Sequence, residues 1–489
     1  MDRSIPDVFS EGHYRTIALI VIMMGVMMSA VDTTAVVLGL PVMMTDLRSD
    51  IISMIWVIMA YLLVITILGT QVGRFGDMYG RVRMYNIGFA VFTGASLLCG
   101  ISSLGGELIA FRVLQGIGGA LISSNSGAVI ADTFKESERG KAYGYTGIGW
   151  SVGAILGILI GGAFVTFLNW RYIFFINLPI GTVATIVGYL KLKERSPKIK
   201  RRIDAVGMTL LGSGLFLGLY ALTEITGFGF SLVNTGILVA GGFIIIAFAL
   251  WERHTPEPLI QMSIIRERVL IASMLASFFQ SLAGFAVLFL IIMYLQGPRG
   301  MTPFNAALLL IPAYVIGGLV SPFSGRLSDR YGARVIASIG LVVQASGFLV
   351  YSTLGIATSF ALVIVGAILN GVGSSSFFPA NNSAVMSSAP PQAFGIASGL
   401  LRTFSNIGMV CSFAVALLIA SLSIPRQLAF EIFLGVGGLS SQLSQAFIVG
   451  MRAALFASVA LLAIALVLSI MRGKERRTTM RRQTESARH

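Results

Sequence analysis

Gly73-Arg-Phe-Gly-Asp77-Met-Tyr-Gly80-Arg81-Val-Arg83 recurs as Gly325-Arg-Leu-Ser-Asp329-Arg330-Tyr-Gly332-Ala-Arg334-Val335, an offset of 252 residues. Both copies keep Gly-Arg-x-x-Asp-x-Tyr-Gly in register. Two further pairs lie at nearly the same distance. Gln115-Gly116-Ile-Gly118 pairs with Asn370-Gly371-Val-Gly373, and Gly140-Lys-Ala-Tyr-Gly144 with Gly395-Ile-Ala-Ser-Gly399, both offset by 255. Near-equal spacing at separated points predicts two homologous halves. Each copy of the first stretch is a short polar segment between long apolar runs. It therefore reads as a turn joining two membrane spans.

Outward from these turns the apolar runs fall near 16–40, 51–72, 84–104, 107–131, 142–167, 172–190, 205–223, 232–250, 269–295, 304–323, 335–355, 358–382, 396–420 and 447–470. These fourteen runs predict an all-α membrane protein: a six-helix bundle over 16–191, an inserted hairpin over 205–250, a second six-helix bundle over 269–471 and a basic tail over 472–489. Parallel halves about a central cavity suit alternating-access transport.

Composition supports this reading. Of 489 residues, 55% are hydrophobic and 11% charged, and the mean hydropathy is +0.85. A soluble domain carries about 25% charged residues, so a soluble enzyme is excluded early. The net charge of +14 would suggest nucleic acid on a soluble chain, but here it follows membrane topology. Of the Lys and Arg residues, 28 lie on the side of the termini and four (Arg48, Arg171, Arg299, Arg426) on the other. That asymmetry predicts cytoplasmic termini in a plasma membrane and makes a nucleic-acid partner unnecessary. No removable signal peptide is read at the N-terminus. Cys99 and Cys411, and the three scattered histidines, form no metal or disulfide set. No metal or cofactor is predicted.

Asp32 lies deep in the first apolar run. An ionised carboxylate in lipid costs at least about 2.5–3.5 kcal/mol, so it should face the cavity, where it can take up and release a proton or meet a cationic substrate. Arg112 falls at a similar depth in the fourth run and is a candidate to tune Asp32; Gln115 follows three residues on, near the same face. Gln280, Arg402 and Asn406 are polar residues within later runs and candidate cavity-lining positions. In the first turn, Gly73, Asp77 and Arg81 share a face at four-residue spacing. Gly73 should allow close approach, and Asp77 should cap a neighbouring helix and pair with Arg81. Gly325, Asp329, Arg330 and Arg334 are the second copy. Gly149-Trp-Ser151-Val-Gly153 matches a hydrolase elbow, but it lies in an apolar run without histidine. No P-loop is present, and no enzymatic activity is expected.

Several stretches carry a family resemblance. Val31-Asp-Thr-Thr-Ala-Val-Val-Leu-Gly-Leu-Pro41, the turn from Gly73 to Arg83, Arg112-Val-Leu-Gln-Gly-Ile-Gly118 and Asn169-Trp-Arg-Tyr-Ile-Phe-Phe-Ile-Asn-Leu-Pro179 occur in this order. Together the chain resembles, almost end to end, the fourteen-helix drug:proton antiporter branch of the major facilitator superfamily. The resemblance implies proton-coupled efflux of lipophilic, often cationic compounds. It also implies that the Gly73–Arg83 turn latches the outward-facing state. The small-molecule substrate, protons and the bilayer are then the partners; the oligomeric state is left open, with a monomer compatible. The fifth run, Gly153-Ala-Ile-Leu-Gly157-Ile158-Leu-Ile-Gly161-Gly162, keeps the antiporter glycines but has Ile158 where that branch has proline. This keeps a metabolite or nutrient carrier open as the alternative. A non-transporting receptor is the further one, disfavoured by the lack of an appended soluble domain.

Overall fold

A computed structural model describes residues 8–134, 136–195, 203–255, 258, 267–388, 394–424 and 441–473. The predicted tail from 474 onward lies outside them. Among the described residues the helices are α1 (Val8–Asp46), α2 (Ile51–Tyr79), α3 (Arg81–Ile101), α4 (Gly105–Thr133), α5 (Glu136–Phe167), α6 (Tyr172–Phe175), α7 (Asn177–Lys191), α8 (Ala205–Phe228), α9 (Leu232–Glu252), α10 (Arg268–Gln296), α11 (Pro303–Tyr331), α12 (Ala333–Ser352), α13 (Phe360–Ser388), α14 (Phe394–Leu422) and α15 (Ser441–Met471). Fourteen spans are long and apolar enough to cross a membrane, with α6 and α7 together forming the sixth. The architecture is two six-helix halves, α1–α7 and α10–α15, with α8 and α9 as the inserted hairpin.

Local chemistry sets the helix ends. The repeated turn glycine is explained by backbone conformation. Gly80 has φ +111° and Gly332 φ +91°, values that L side chains rarely adopt. Each ends one span and lets the next begin at the following residue, Arg81 or Ala333. Elsewhere polar side chains cap the helices: Asp50 accepts from the Ser53 N–H at 2.8 Å, Asp204 from Gly207 at 2.8 Å and Ser231 from Asn234 at 3.0 Å. Each satisfies one of the free N–H groups at a helix start.

The halves meet at both ends of the bundle. At the end away from the repeated turns, Gln296 Nε2 donates to the Leu38 carbonyl at 3.1 Å and the Phe304 N–H to Thr166 Oγ1 at 3.0 Å. At the end with the turns, Arg402 Nη1 donates to the Ser123 carbonyl at 2.8 Å. The hairpin rests across both halves, with α8 packed on α2 and α14. Trp56 of α2 lies 5.5 Å from Phe216 and donates to Thr223 at 3.3 Å. Helix α9 packs on α8 and turns Leu232, Val233 and Phe243 outward, each at least 66% exposed. In a soluble protein such a face would be a liability; on a membrane span it is the lipid-facing surface.

Candidate functional site

A fully buried ion pair lies inside the first half. Asp32 of α1 and Arg112 of α4 meet at 2.6 Å, with side chains 0% and 1% exposed. Depth alone left their contact open; packing brings it about. Arg112 Nε donates to the Val57 carbonyl of α2 at 2.9 Å, and Nη1 also reaches Gln115 Oε1 at 2.5 Å. Its guanidinium lies 4.3 Å from the centre of the Tyr61 ring and 5.9 Å from that of Phe174, an arrangement that shields a cation with π faces. Gln115 Nε2 donates to Asp32 Oδ1 at 2.8 Å and to Ser96 Oγ at 2.8 Å. Asn177 Nδ2, on α7, lies 3.3 Å from Asp32 Oδ1 and 3.4 Å from Ser96 Oγ. Five spans of one half thus converge on one carboxylate. A buried charge held this way depends on its partner, and removing one member of such a pair costs about 3–5 kcal/mol.

The glycines of α5 explain how α1 is held. A Cβ on Gly153 would meet the Met27 carbonyl oxygen at 2.6 Å and the Ala30 Cβ at 2.9 Å. On Gly157 it would meet Val31 backbone at 2.7 Å, and on Gly161 the Ala35 Cβ at 2.8 Å. Close backbone approach of this kind is how small residues pack membrane helices. Gly162 faces elsewhere, toward Ala307 and the backbone of Phe304 in the second half, at 3.0 and 3.1 Å. Ile158 is buried, and α5 runs without a proline from Glu136 to Phe167.

A second polar cluster sits at the first turn. Arg81 bonds Asp77 at 2.8 Å and Asp132, in the last turn of α4, at 2.6 Å. The expected capping role falls to another acid. Asp77 is engaged by Arg81 four residues on, and the free N–H groups of α3 are met by Glu194, beyond α7. Glu194 accepts from the Arg81 N–H at 2.9 Å and the Val82 N–H at 3.1 Å. The close approach expected at Gly73 also lies elsewhere. A Cβ at Gly73 or Gly325 would meet nothing within 4 Å, whereas Gly76 packs directly on the Asn125 side chain. In the second copy Arg330 is exposed, 5.4 Å from the Tyr331 ring, and Arg334 is half-buried. The Asp329 side chain lies outside what the structure describes.

The remaining candidates lie in the second half. Gln280 of α10 is buried and donates to Gln344 of α12 at 3.1 Å. Asn406 is half-buried on α14. Arg402 is exposed and spans to the first half, as described above, so it bridges the halves rather than joining the ion pair. Sequence reasoning missed Ser96, Asn177, Tyr61, Asp132 and Glu194. Asn177 had a signal, since it lies in the quoted Asn169–Pro179 stretch. That stretch also anchors α1: Trp170 Nε1 and Arg171 Nη1 both donate to Asp46 Oδ2, at 2.8 and 2.7 Å.

The chain matches the Major Facilitator Superfamily over residues 22–412, and a second match covers 269–488, the second half on its own. It belongs to that superfamily, in its drug-efflux branch. Among its relatives is the uncharacterized MFS-type transporter Rv1250 of Mycobacterium tuberculosis, 34% identical over 67% of this chain. That match spans 57% of the relative's length. The riboflavin transporter RibZ of Clostridioides difficile is 29% identical over 80% of this chain and 85% of its own. The tetracenomycin C resistance and export protein of Streptomyces glaucescens is 28% identical, over 80% and 73%.

Proposed function

We propose that the protein is a secondary transporter of the plasma membrane, with cytoplasmic termini, that exports lipophilic compounds in exchange for protons. The observation that carries this is the Asp32–Arg112 pair, fully buried at 2.6 Å with neutral groups around it. A proton arriving on Asp32 cancels its charge and frees Arg112 Nη1 from its counter-ion. Arg112 then keeps the Val57 carbonyl, Gln115 and the Tyr61 ring. The proton thereby converts a closed electrostatic unit into an unpaired buried cation. Coupling follows if one access state of the protein solvates that cation better than the other, since a ligand shifts an equilibrium only by its differential affinity. The repeated halves supply two access states, and their contacts at Leu38–Gln296 and Ser123–Arg402 are the ones that must open in turn. The 28% identical exporter of tetracenomycin C supports export of lipophilic cargo.

The test is transport in liposomes under an acid-inside pH gradient, with ethidium and tetraphenylphosphonium as cargo. Gradient-driven movement in wild type, absent in folded Asp32→Asn, is expected. Movement that survives Asp32→Asn removes Asp32 from the coupling. A metabolite carrier is the second reading, favoured by the match to a riboflavin transporter over 85% of that relative and by Ile158. Riboflavin movement without any movement of the cations would establish it over drug export.

A further inference from the structure

The second half repeats the site without its charges. Gly153 packs on the backbone of Met27, and its counterpart Gly408 on that of Phe278, so α1 and α10 correspond at an offset of 251. Asp32 is then matched by Ala283, and by the 255 offset Arg112 is matched by Ala367; both alanines are 1% exposed. Gln115 is matched by Asn370. In place of the ion pair stands a chain of three amides. Gln280 Nε2 donates to Gln344 Oε1 at 3.1 Å, and Gln344 Nε2 to Asn370 Oδ1 at 3.0 Å.

Two observations point from this chain to a ligand. Gln280 is 2% exposed, yet its Oε1 has no hydrogen-bond partner. A buried acceptor left unmade is costly, and a partner supplied during the cycle would remove that cost. Second, Gly284 stands beside the chain. A Cβ there would meet only Gln344 Nε2 at 3.2 Å and Gln280 Nε2 at 3.7 Å, so its other sides are open, and Asn370 is only half-buried. An aligned amide chain ends in an acceptor on one side and an amide nitrogen on the other. Reversing all three amides exchanges these ends and leaves the same pair.

We infer that Gln280, Gln344 and Asn370, uncovered at Gly284, form a recognition site for an uncharged donor–acceptor group of the cargo, of the amide kind. The inference rests on the transport reading, but not on proton coupling. It assigns the neutral cluster of the second half to the cargo, whatever task the charged cluster of the first half performs. A cation without hydrogen-bonding groups gains nothing from the amides.

The test is equilibrium binding to the purified full chain in nanodiscs, with two radiolabelled probes. Chloramphenicol is neutral and carries a secondary amide; tetraphenylphosphonium can neither donate nor accept. Gln280→Leu should weaken chloramphenicol about tenfold, the scale of a lost neutral hydrogen bond with a buried partner. Tetraphenylphosphonium should stay within about twofold, since it makes no such bond. Gly284→Leu keeps all three amide groups and covers them. It should give the same selective loss, and it decides the matter if Gln280→Leu fails to fold. Equal loss of both probes, or tetraphenylphosphonium binding by wild type without chloramphenicol binding, overturns the inference. Neither result bears on gradient-driven transport, whose failure in liposomes would instead overturn the export reading.

Discussion

Asp32→Asn should destabilise the protein by roughly 3–5 kcal/mol, and adding Arg112→Met should restore most of that loss. The magnitude comes from the geometry. Asparagine keeps the volume of Asp32 and can still accept from Gln115 at 2.8 Å and Asn177 at 3.3 Å. What it removes is the counter-charge of a guanidinium that is 1% exposed and 2.6 Å away. Arg112 would then be a buried cation with one backbone carbonyl, one amide oxygen and two aromatic faces. Arg112→Met should cost a similar amount alone, because it strands the carboxylate instead. The double variant strands neither charge, so the coupling energy between the sites should exceed either single loss and approach the sum of the two. Denaturant unfolding in one detergent, followed by fluorescence of the four tryptophans, gives all four corners of the cycle. Additive losses, or single variants within about 0.5 kcal/mol of wild type, would refute the argument that the pair is held as two charges.

Four other outcomes follow from the geometry. Gly153→Leu should abolish folded, monodisperse protein in size-exclusion chromatography, because its first side-chain carbon would fall 2.6 Å from the Met27 carbonyl oxygen. Alanine at Gly12, which faces nothing within 4 Å, should be tolerated. Trp170→Phe removes the Nε1 donor to Asp46 at 2.8 Å and should cost about 1.5–3 kcal/mol in the same unfolding assay, the range for a hydrogen bond to a charged group. Glu194→Gln should cost about 0.5–2 kcal/mol, the usual scale of a helix cap, and should raise amide hydrogen exchange at Arg81 and Val82, the two N–H groups it holds most closely.

The fold was legible because its signals are redundant. Fourteen apolar runs, a charge asymmetry and three repeat pairs each point to the same architecture. Gly80 and Gly332 could be placed in turns from sequence, although their positive φ values needed the structure. The site was legible in part. Asp32 and Arg112 stand out because a charge in an apolar run is rare. Ser96 does not, since a serine in a membrane helix commonly bonds its own backbone, as this one also does to the Phe92 carbonyl at 2.8 Å. Glu194 was hidden for another reason. It lies 113 residues from the N–H it caps, among lysines and arginines that read as topology. The capping role therefore went to Asp77, nearer in sequence, whose carboxylate was already claimed by Arg81.

Every ligand of the Asp32 carboxylate (Ser96's partners Gln115 and Asn177, and Arg112 itself) belongs to α1–α7. If the halves move as solid bodies, these distances ride along unchanged, like cargo fixed to one leaf of a hinge. Neutralising the pair cannot then be felt across the hinge by direct contact. It can be felt through a helix that touches both leaves, and α5 is one of them. Helix α5 is seated on α1 by Gly153, Gly157 and Gly161, and its next residue, Gly162, already rests on the other half. Four missing side chains thus form one mechanical path from the Asp32 carboxylate to the opposite leaf, and a single added carbon along it would be enough to jam the joint.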